Sequence, residues 1–462
     1  MHSQNDLKTL FKASARPHVL MITNHGIHDF EVRSGLKDTG GQNHYVNALA
    51  DTLVELGYRV TTFNRGGFKD PVSGERREGA KYKNENNRIV YLEGGGDIFI
   101  RKEDLNKKIL SEETDFAKAF LANEATTIDL IISHYWDGAL LGCLIKQIMN
   151  LKTHHIFIPH SLGALKKENF RDKPKEVIAS LNFDERISHE KEVIEQVSAV
   201  GSTSGDITRF LRDFYNREPE IFLPPCIDTK TIHPIGPGDC HKIYEFLFQQ
   251  DPISGINLKG RPFLLEISRT DQTKRKDVVI NAFKKCLQSH PDAVLLLTIS
   301  RDSSIYGELM SLIDSLGIRK NIVTIGTVPR DIVSELYSIS NVYCSPSEME
   351  GFGMSVQEAC ACKKPVVTSN LVPFSVEYLL KNSKEEIIQT TNGPCNITWG
   401  EGGVVVPAGN VDGFAHAINR LLSDQALNEK IAEKAYKITI PYFTWKDMTE
   451  RMLNKIKTRS TK

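Results

Sequence analysis

The nine residues at 350–358, E-G-F-G-M-S-V-Q-E, place the carboxylates of Glu350 and Glu358 on either side of a glycine-flanked turn. A strand-like run precedes the turn, and a helix is predicted to begin near Ser355. Exposed amides at such a helix start attract an anion, and Gly351 and Gly353 allow a ligand to approach the backbone closely. Both carboxylates could accept hydrogen bonds from the hydroxyls of a sugar or ribose. The same residues fit equally well a capped strand-loop-helix unit with two solvated acids.

A second candidate group follows the predicted strand at 263–268. The guanidinium of Arg269 can make two parallel bonds to a phosphate, and Lys274 can add a compact second charge. Such a pair would stabilise a departing diphosphate. We interpret the adjacent Arg275 and Lys276 as a solvated basic loop.

Polar motifs also follow predicted strands in the first half of the chain. They read D-T-G-G-Q at 38–42, S-H-Y-W-D-G at 133–138 and P-H-S-L-G at 159–163. Paired glycines at a helix start let backbone amides approach an anion or a sugar ring, although glycine pairs also form ordinary turns. A lone histidine is more often structural, but His134 and His160 at successive strand ends favour a site.

Alternating strands and helices must position these motifs. Strand candidates in the first half lie at 18–23, 59–63, 88–92, 130–133, 155–158 and 199–202, and those in the second half at 263–268, 293–299, 323–325, 342–345, 365–368 and 403–406. The intervening helical patterns predict an α/β architecture with parallel sheets covered on both faces. Because open parallel sheets bind ligands outside the carboxyl ends of their strands, two facing sheets would create a cleft between domains.

A chain of 462 residues is too long for a single core. The composition changes at L-P-P-C, 223–226, which is followed by a stretch rich in proline and glycine. We predict one domain at 1–228, a second at 229–439, and a C-terminal helix at 440–462 that packs on the first domain. The 229–260 stretch is longer than a plain linker, and 392–402 has the character of an insert.

Composition argues against several functional classes. Lys plus Arg and Asp plus Glu both number 58, so the net charge gives no general attraction to nucleic acid or an anionic membrane. Eight scattered cysteines are typical of reduced, cytosolic usage rather than of a disulfide framework or a zinc site. No apolar run approaches the roughly 20 residues that span a bilayer, and no signal-peptide pattern opens the chain. We expect a cytoplasmic protein without a metal site or stable membrane association.

The spaced set of motifs, from about residue 18 to 445, resembles retaining GT-B glycosyltransferases of family 4. In the second half, I-G-T-V-P-R at 325–330, the 350–358 motif and P-V-V-T-S at 365–369 carry this resemblance, with Arg269 and Lys274 upstream. The three first-half motifs and N-F-D-E-R-I-S-H-E at 182–190 are similar to the branch of sucrose-phosphate and mannosylfructose-phosphate synthases. The resemblance implies two Rossmann-like domains whose parallel sheets face an interdomain cleft, with 1–228 binding the acceptor and 229–439 binding the nucleotide sugar.

The resemblance also implies a nucleotide-sugar donor. Matched by position, Arg269 and Lys274 would bind its diphosphate, Glu358 would bind the ribose hydroxyls, and Gly41 would approach the phosphates. Glu350 would hold the sugar. The backbone that completes the sugar site is expected to come from Gly351, Phe352, Gly353 and Met354.

Family members retain the anomeric configuration without an evident protein nucleophile. The resemblance implies a same-face transfer in which the leaving phosphate accepts the proton of the incoming hydroxyl. His160 would lie beside the anomeric carbon, and the expected catalytic set is completed by Arg269, Lys274 and Glu350. Positive side chains would take the place of a divalent ion, so we expect no cofactor besides the nucleotide-sugar co-substrate.

A phosphorylated acceptor is implied by three further matches. Lys102, Lys166 and Arg186 occupy positions that bind an acceptor phosphate in the same branch, and Gln42 and His134 complete the expected acceptor site. The implied reaction moves a hexose from GDP-mannose or UDP-glucose to fructose 6-phosphate.

Alternatives remain open at the level of sequence. Similar basic positions serve inositol phosphate in other family members, and an inactive GT-B protein could act as a carbohydrate-binding or scaffold module. The chain also departs from the family at 224–226, where P-P-C replaces proline-proline-glycine, and at 369–374, where S-N-L-V-P-F replaces a glycine-rich loop. The second departure borders the donor pocket and leaves the base and the hexose open.

Overall fold

The structure, a computed structural model, describes residues 2–32, 41–124, 126–171, 174–236, 238–250, 258, 260–391 and 393–460. The chain divides into two compact units, Met1–Pro224 with Trp445–Lys462 and Pro225–Thr444. The first boundary therefore lies at 224/225, where the sequence had suggested 228/229. Residues 440–444 belong to the second unit and not to the C-terminal segment.

Within the described residues, the first unit contains one eight-stranded sheet. Its strands are β1 (His18–Thr23), β2 (Arg59–Arg65), β3 (Ala80–Asn84), β4 (Asn87–Leu92), β5 (Leu130–His134), β6 (His154–Ile158), β7 (Ala199–Ser202) and β8 (Ile221–Phe222). The strand order is β3-β4-β2-β1-β5-β6-β7-β8, and β3 runs antiparallel to β4 while the other neighbours are parallel. The central strand β1 is buried along its whole length, as expected for a strand with both faces covered.

Helices cover both faces of this sheet. They are α1 (Gln4–Ala13), α2 (Gly41–Glu55), α3 (Lys107–Glu124), α4 (Tyr135–Ile148), α5 (Gly163–Asn169), α6 (Lys175–Ala179), α7 (Phe183–Gln196) and α8 (Gly205–Asp213). Apolar side chains from β1, β5, α3, α4 and α7 form one buried cluster.

The second unit repeats this architecture with another eight-stranded sheet in the part of the chain that is described. Its strands are β9 (Phe263–Glu266), β10 (Val294–Thr298), β11 (Ile322–Ile325), β12 (Val342–Ser345), β13 (Val366–Ser369), β14 (Lys384–Thr390), β15 (Gly393–Trp399) and β16 (Val404–Val406). The order is β11-β10-β9-β12-β13-β16-β15-β14, and β15 is antiparallel to both neighbours. The predicted α/β architecture with mainly parallel sheets is confirmed.

The helices of the second unit are α9 (Lys242–Gln250), α10 (Lys276–Cys286), α11 (Tyr306–Ser315), α12 (Val333–Ile339), α13 (Met354–Ala361), α14 (Val411–Ser423) and α15 (Gln425–Thr439). The segment predicted to be an insert at 392–402 contains β15, which forms a hairpin with β14 at the sheet edge. The long stretch at 229–260 contains α9, which packs on β11 and α12.

The C-terminal helix α16 (Trp445–Ser460) belongs to the first unit, where it packs on α2 and β8. The rings of Trp445 and Tyr45 meet edge to face with centroids 4.7 Å apart. Tyr45 Oη also donates a hydrogen bond of 2.7 Å to the carbonyl oxygen of Leu223. In the described residues, no helix has the length and apolar character needed to cross a membrane.

Three histidines in strands of the first sheet are buried, and those in β1 and β6 each lie next to a hydroxyl of a neighbouring strand. His18 in β1 has its Nε2 atom 2.8 Å from Thr61 Oγ1, and His155 in β6 has its Nε2 atom 2.7 Å from Ser133 Oγ. Burial lowers the pKa of each imidazole to about 3, and nearby arginines add to this effect at His18. Both rings are therefore neutral in the folded protein at neutral pH.

Acidification should destabilise the first unit through these histidines. An unfolded histidine has a pKa near 6.5, so each contribution is fully present above that pH and is lost as the pH falls towards 3. At about pH 5 the loss should reach about 2 kcal/mol per histidine. Urea denaturation of wild type and His155→Gln near pH 7 and pH 5, followed by tryptophan fluorescence, would measure it. The variant should show the smaller pH effect, whereas replacement of the exposed His2 by Gln should not alter it; equal pH effects in all three proteins would contradict the prediction.

Candidate active site

A cavity of about 740 Å³ lies at the carboxyl ends of β9, β10 and β11 in the second unit. Its walls include the residues that directly follow these strands, at 268–270, 299–302 and 326–328. This is the edge at which open parallel sheets bind ligands, and the volume is in the range of small-molecule and cofactor sites.

Positive charge predominates among the described residues that line this cavity. Three arginines line it, Arg269, Arg301 and Arg330, against one acidic residue, Asp302. Arg269 is 83% exposed, and its guanidinium lies 3.7 Å from the Asp271 carboxylate. An excess of guanidinium groups favours an anionic ligand such as a phosphate or diphosphate.

Lys274 and Glu350 form a largely buried ion pair with 2.7 Å between Nζ and Oε1. Lys274 Nζ also donates to the carbonyl oxygen of Met349 at 2.9 Å and lies 3.4 Å from Ser347 Oγ. These contacts account for the three donors of an ammonium group. A phosphate that binds Lys274 must therefore replace one of them, and the contact with Ser347 is the longest.

Glu358 has a different set of partners. Its carboxylate accepts a hydrogen bond of 3.0 Å from Tyr337 Oη and lies 3.6 Å from the guanidinium of Arg330. Burial raises the pKa of Glu358, while Arg330 and Tyr337 act in the opposite direction. Because Arg330 also lines the cavity, this ion pair connects Glu358 to it. The two acids of the 350–358 motif thus belong to separate hydrogen-bonded groups.

Between these acids, the motif is shaped by packing. Gly353 has φ of +102°, and a Cβ atom there would lie 2.8 Å from Val372 Cγ1, so both conformation and space require glycine. The ring of Phe352 is buried against Phe374, so only its backbone remains for the predicted donor contact. Helix α13 begins at Met354, whose side chain is exposed, one residue before the predicted start. A Cβ atom at Gly351 would meet open space.

Lys276 is not part of a solvated loop, so that interpretation was wrong. Its Nζ forms an ion pair with Glu266 of β9, and both side chains are fully buried. The same Nζ lies 2.9 Å from Ser268 Oγ and 3.3 Å from Thr298 Oγ1, two residues that line the cavity. Lys276 is the first residue of α10 and faces the sheet, whereas the partly exposed Arg275 pairs with acidic neighbours. The buried pair therefore supports the cavity floor.

In the first unit, His134 and His160 are brought together, with 2.9 Å between Nδ1 and Nε2. His160 and Tyr135 adopt left-handed backbone conformations, with φ of 54° and 66°, just after β6 and β5. Such conformations cost roughly 1–3 kcal/mol each and cluster at functional sites. Burial lowers the pKa of His160 to about 3 and that of His134 well below its ordinary value. Both are neutral near pH 7, which suits hydrogen bonding rather than proton transfer.

Three cations converge on a second, small cavity of about 60 Å³ in the first unit. Lys102, Lys166 and Arg186 all line it, together with Tyr135 and Asn182. Tyr135 Oη accepts hydrogen bonds from Arg186 at 2.5 Å and from Lys166 at 3.4 Å. The structure therefore brings together the three side chains expected to bind an acceptor phosphate.

Arg186 also has a structural role in this pocket. It is buried, pairs with Glu190 at 2.8 Å, and donates to the carbonyl oxygen of Ser161 at 2.6 Å.

Sequence reasoning missed Glu190 and Tyr135, although both lie in quoted motifs. Arg330 and Tyr337 were likewise missed as partners of Glu358, and the position of Arg330 shortly after β11 was the available signal.

The start of α2 carries two further predicted residues. Gly41 is the first residue of the helix and is exposed, and Gln42 Nε2 donates to Thr23 Oγ1 at 3.1 Å. The remainder of that motif, 38–40, lies outside the described residues. In the described chain, no three His, Cys, Asp or Glu side chains are grouped in a way that could hold a metal ion.

Comparison with known proteins connects this geometry to a family. Residues 249–438, which include the cavity and both acids of the 350–358 motif, match the family model described as glycosyl transferases group 1. The chain carries a glycosyl transferases group 1 domain.

Similarity to known proteins extends beyond that domain. Mannosylfructose-phosphate synthase of Agrobacterium fabrum is 26% identical over 79% of this chain and 78% of that protein. A probable sucrose-phosphate synthase of Thermosipho melanesiensis is 26% identical over 91% of both. The solved sucrose-phosphate synthase from Thermosynechococcus elongatus aligns with a TM-score of 0.68 at 22% identity, covering 96% of this chain and 100% of that chain. The predicted GT-B fold is confirmed, and the roles of individual residues stay predictions.

Loss of the buried cation should destabilise the second unit. Lys276→Met leaves the Glu266 carboxylate buried without its counter-charge, which should cost about 3–5 kcal/mol of unfolding free energy. Replacing both partners, as in Glu266→Leu with Lys276→Met, should cost less because no charge is stranded. Urea denaturation would measure both, with Lys284→Met at an exposed position of the same helix as the control. If Lys276→Met were as stable as Lys284→Met, the predicted contribution of the buried Glu266–Lys276 pair would be contradicted.

Proposed function

We propose that this protein is a retaining hexosyltransferase that moves a hexose from a nucleotide diphosphate sugar to a phosphorylated sugar. GDP-mannose and UDP-glucose are the candidate donors, and fructose 6-phosphate is the leading acceptor. The observation that carries the proposal is the convergence of Lys102, Lys166 and Arg186 on one small pocket. Ammonium and guanidinium groups around a space of this size suit a phosphate group.

The cavity of the second unit supplies the proposed donor site. Arg269 lies three residues after the end of β9, and the Lys274–Glu350 pair is formed by residues of two loops. We assign Arg269 and Lys274 to the diphosphate and Glu350 to the sugar. Glu358, which is connected to the cavity through Arg330, is assigned to the ribose hydroxyls.

The proposed reaction needs little covalent chemistry from the protein. The bond between the anomeric carbon and the diphosphate oxygen breaks, and a bond to the acceptor hydroxyl forms on the same face of the sugar. The hydroxyl proton passes to the departing phosphate, whose negative charge Arg269 and Lys274 stabilise. His160 is neutral and so is assigned a hydrogen bond to the donor sugar. We propose that no metal cofactor is needed.

Donor binding should be visible in a thermal-shift panel of UDP-glucose, GDP-mannose, UDP and GDP. A nucleotide at 100 times its dissociation constant stabilises the folded state by about 2.7 kcal/mol, which raises the melting temperature by several degrees. Lys274→Met should abolish this shift and lower kcat by about 10²–10³-fold, because it removes charge from the leaving diphosphate. Lys284→Met is the control. Absence of any shift in wild type would favour a scaffold protein, and near-normal turnover of Lys274→Met would overturn the site assignment.

The acceptor pocket can be tested by two neighbouring lysines. Lys166→Met removes a cation from the pocket and should raise the KM for fructose 6-phosphate about 10- to 100-fold, the loss expected for one charged hydrogen bond. The KM for the donor should not change. Lys167→Met is the matched control, because Lys167 pairs with Asp184 on the surface.

Assays with inositol phosphate and with unphosphorylated fructose would separate recognition of the phosphate from recognition of the sugar. Equal acceptor KM values in the two lysine variants would contradict the phosphate pocket.

A further inference from the structure

The 229–260 stretch contributes to the cavity through the end of α9. Gln249 and Gln250, the last residues of this helix, line the cavity beside the residues that follow β11. The helix is anchored by the buried side chains of Ile243 and Leu247. Its first turn is fixed by a 3.0 Å hydrogen bond from the Ile243 amide to Glu335 Oε2. Gln250 is therefore held at the cavity by a folded element.

The carboxamide of Gln250 has a defined orientation. Its Oε1 accepts a hydrogen bond of 3.2 Å from the backbone N–H of Gly326, the residue directly after β11. An amide nitrogen could not accept this bond, so the NH₂ group is at the other end of the carboxamide. Among the residues that the structure describes, none accepts a hydrogen bond from this NH₂ group. Two N–H donors are thus available at the wall of the cavity.

The order of groups along the strand ends indicates which part of a donor would meet Gln250. This step rests on the proposed function, in which Arg269 after β9 binds the diphosphate and Glu358 binds the ribose. Glu358 pairs with Arg330, which follows β11, so the ribose lies towards β11. Strand β10 separates β9 from β11, and α9 lies against β11. The part of the donor beyond the ribose is the nucleobase.

We propose that Gln250 determines which nucleobase the protein accepts. Its NH₂ group donates a hydrogen bond to the carbonyl oxygen of a base such as uracil or guanine. Adenine has an amino group in place of this oxygen, so donor would meet donor. The segment that separates the two halves of the sequence thereby becomes part of the donor site.

Two substitutions separate base recognition from a structural role. Gln250→Glu keeps an oxygen that can accept from the Gly326 N–H but removes the NH₂ donors. Gln250→Met keeps the approximate length and removes both interactions. The dissociation constants of UDP, GDP and ADP would be measured by calorimetry with the full chain. The extra charge of the Glu variant repels all three diphosphates alike. The ratios of the dissociation constants of UDP, GDP and ADP therefore measure recognition of the base.

Wild type should bind UDP or GDP at least about tenfold more tightly than ADP, and both variants should lose that preference. Glu245→Gln, at an exposed position of the same helix, should retain it. If both variants keep the preference for UDP or GDP over ADP, or if the Glu variant keeps the wild-type ratios of dissociation constants, the assignment is overturned. So would a wild type that binds none of them.

Parallel transfer assays with UDP-glucose, GDP-mannose and ADP-glucose would separate this inference from the proposed function. A protein that shows the predicted nucleotide preference but transfers no hexose to a phosphosugar would refute the function and support the role of Gln250.

Discussion

Parallel strands end together at one edge of a sheet, and both candidate sites depend on this constraint. In the second unit it brings loops that are far apart in sequence, after β9, β10 and β11, to one cavity. In the first unit it places His134, the last residue of β5, beside His160, which follows β6. Helices cover the faces of the sheets, so the strand ends are where polar groups can gather without disturbing the apolar core.

The two units manage charge in different ways. The second unit leaves several guanidinium groups at its cavity, while the ammonium of Lys274 is fully engaged before any ligand arrives. A phosphate that binds Lys274 replaces one of these hydrogen bonds, so the net free energy gained from the new contact is smaller. The remaining hydrogen bonds hold the ammonium group in position. In the first unit, Tyr135 accepts hydrogen bonds from two of the three cations of the small pocket, Lys166 and Arg186, and the preceding residue, His134, pairs with the neutral His160. A hydroxyl-rich sugar and a phosphate would find complementary surroundings there.

Much of the fold could be predicted from the sequence, because buried parallel strands are continuous apolar runs bounded by polar motifs. The grouping of Lys102, Lys166 and Arg186 could be anticipated only through the resemblance, since the three lie on different elements. The burial of Lys276 could not be predicted, because it depends on which side of α10 faces the sheet. Strands β14 and β15 were missed for a related reason: exposed, alternating residues on a sheet edge look like a polar loop.

The positions assigned to Glu350 and Glu358 were inferred from their spacing, but their partners came from elsewhere in the chain. Lys274 lies on another loop, and Tyr337 belongs to α12. Such pairings depend on how loops and helices meet in three dimensions. The same is true of Gln250. The composition of 229–260 is typical of a linker, yet Gln250 at the end of α9 hydrogen-bonds to Gly326, the residue after β11.

The left-handed backbone at His160 also limits the evolution of this site. Asparagine, aspartate and histidine enter that conformation more readily than most residues, whereas β-branched side chains are strongly disfavoured. A library randomised at position 160 would therefore be dominated by variants that lose stability before any change in specificity can be seen. Substitutions that change sugar specificity would be tolerated more easily at neighbouring positions with ordinary backbone geometry, while His160 stays unchanged.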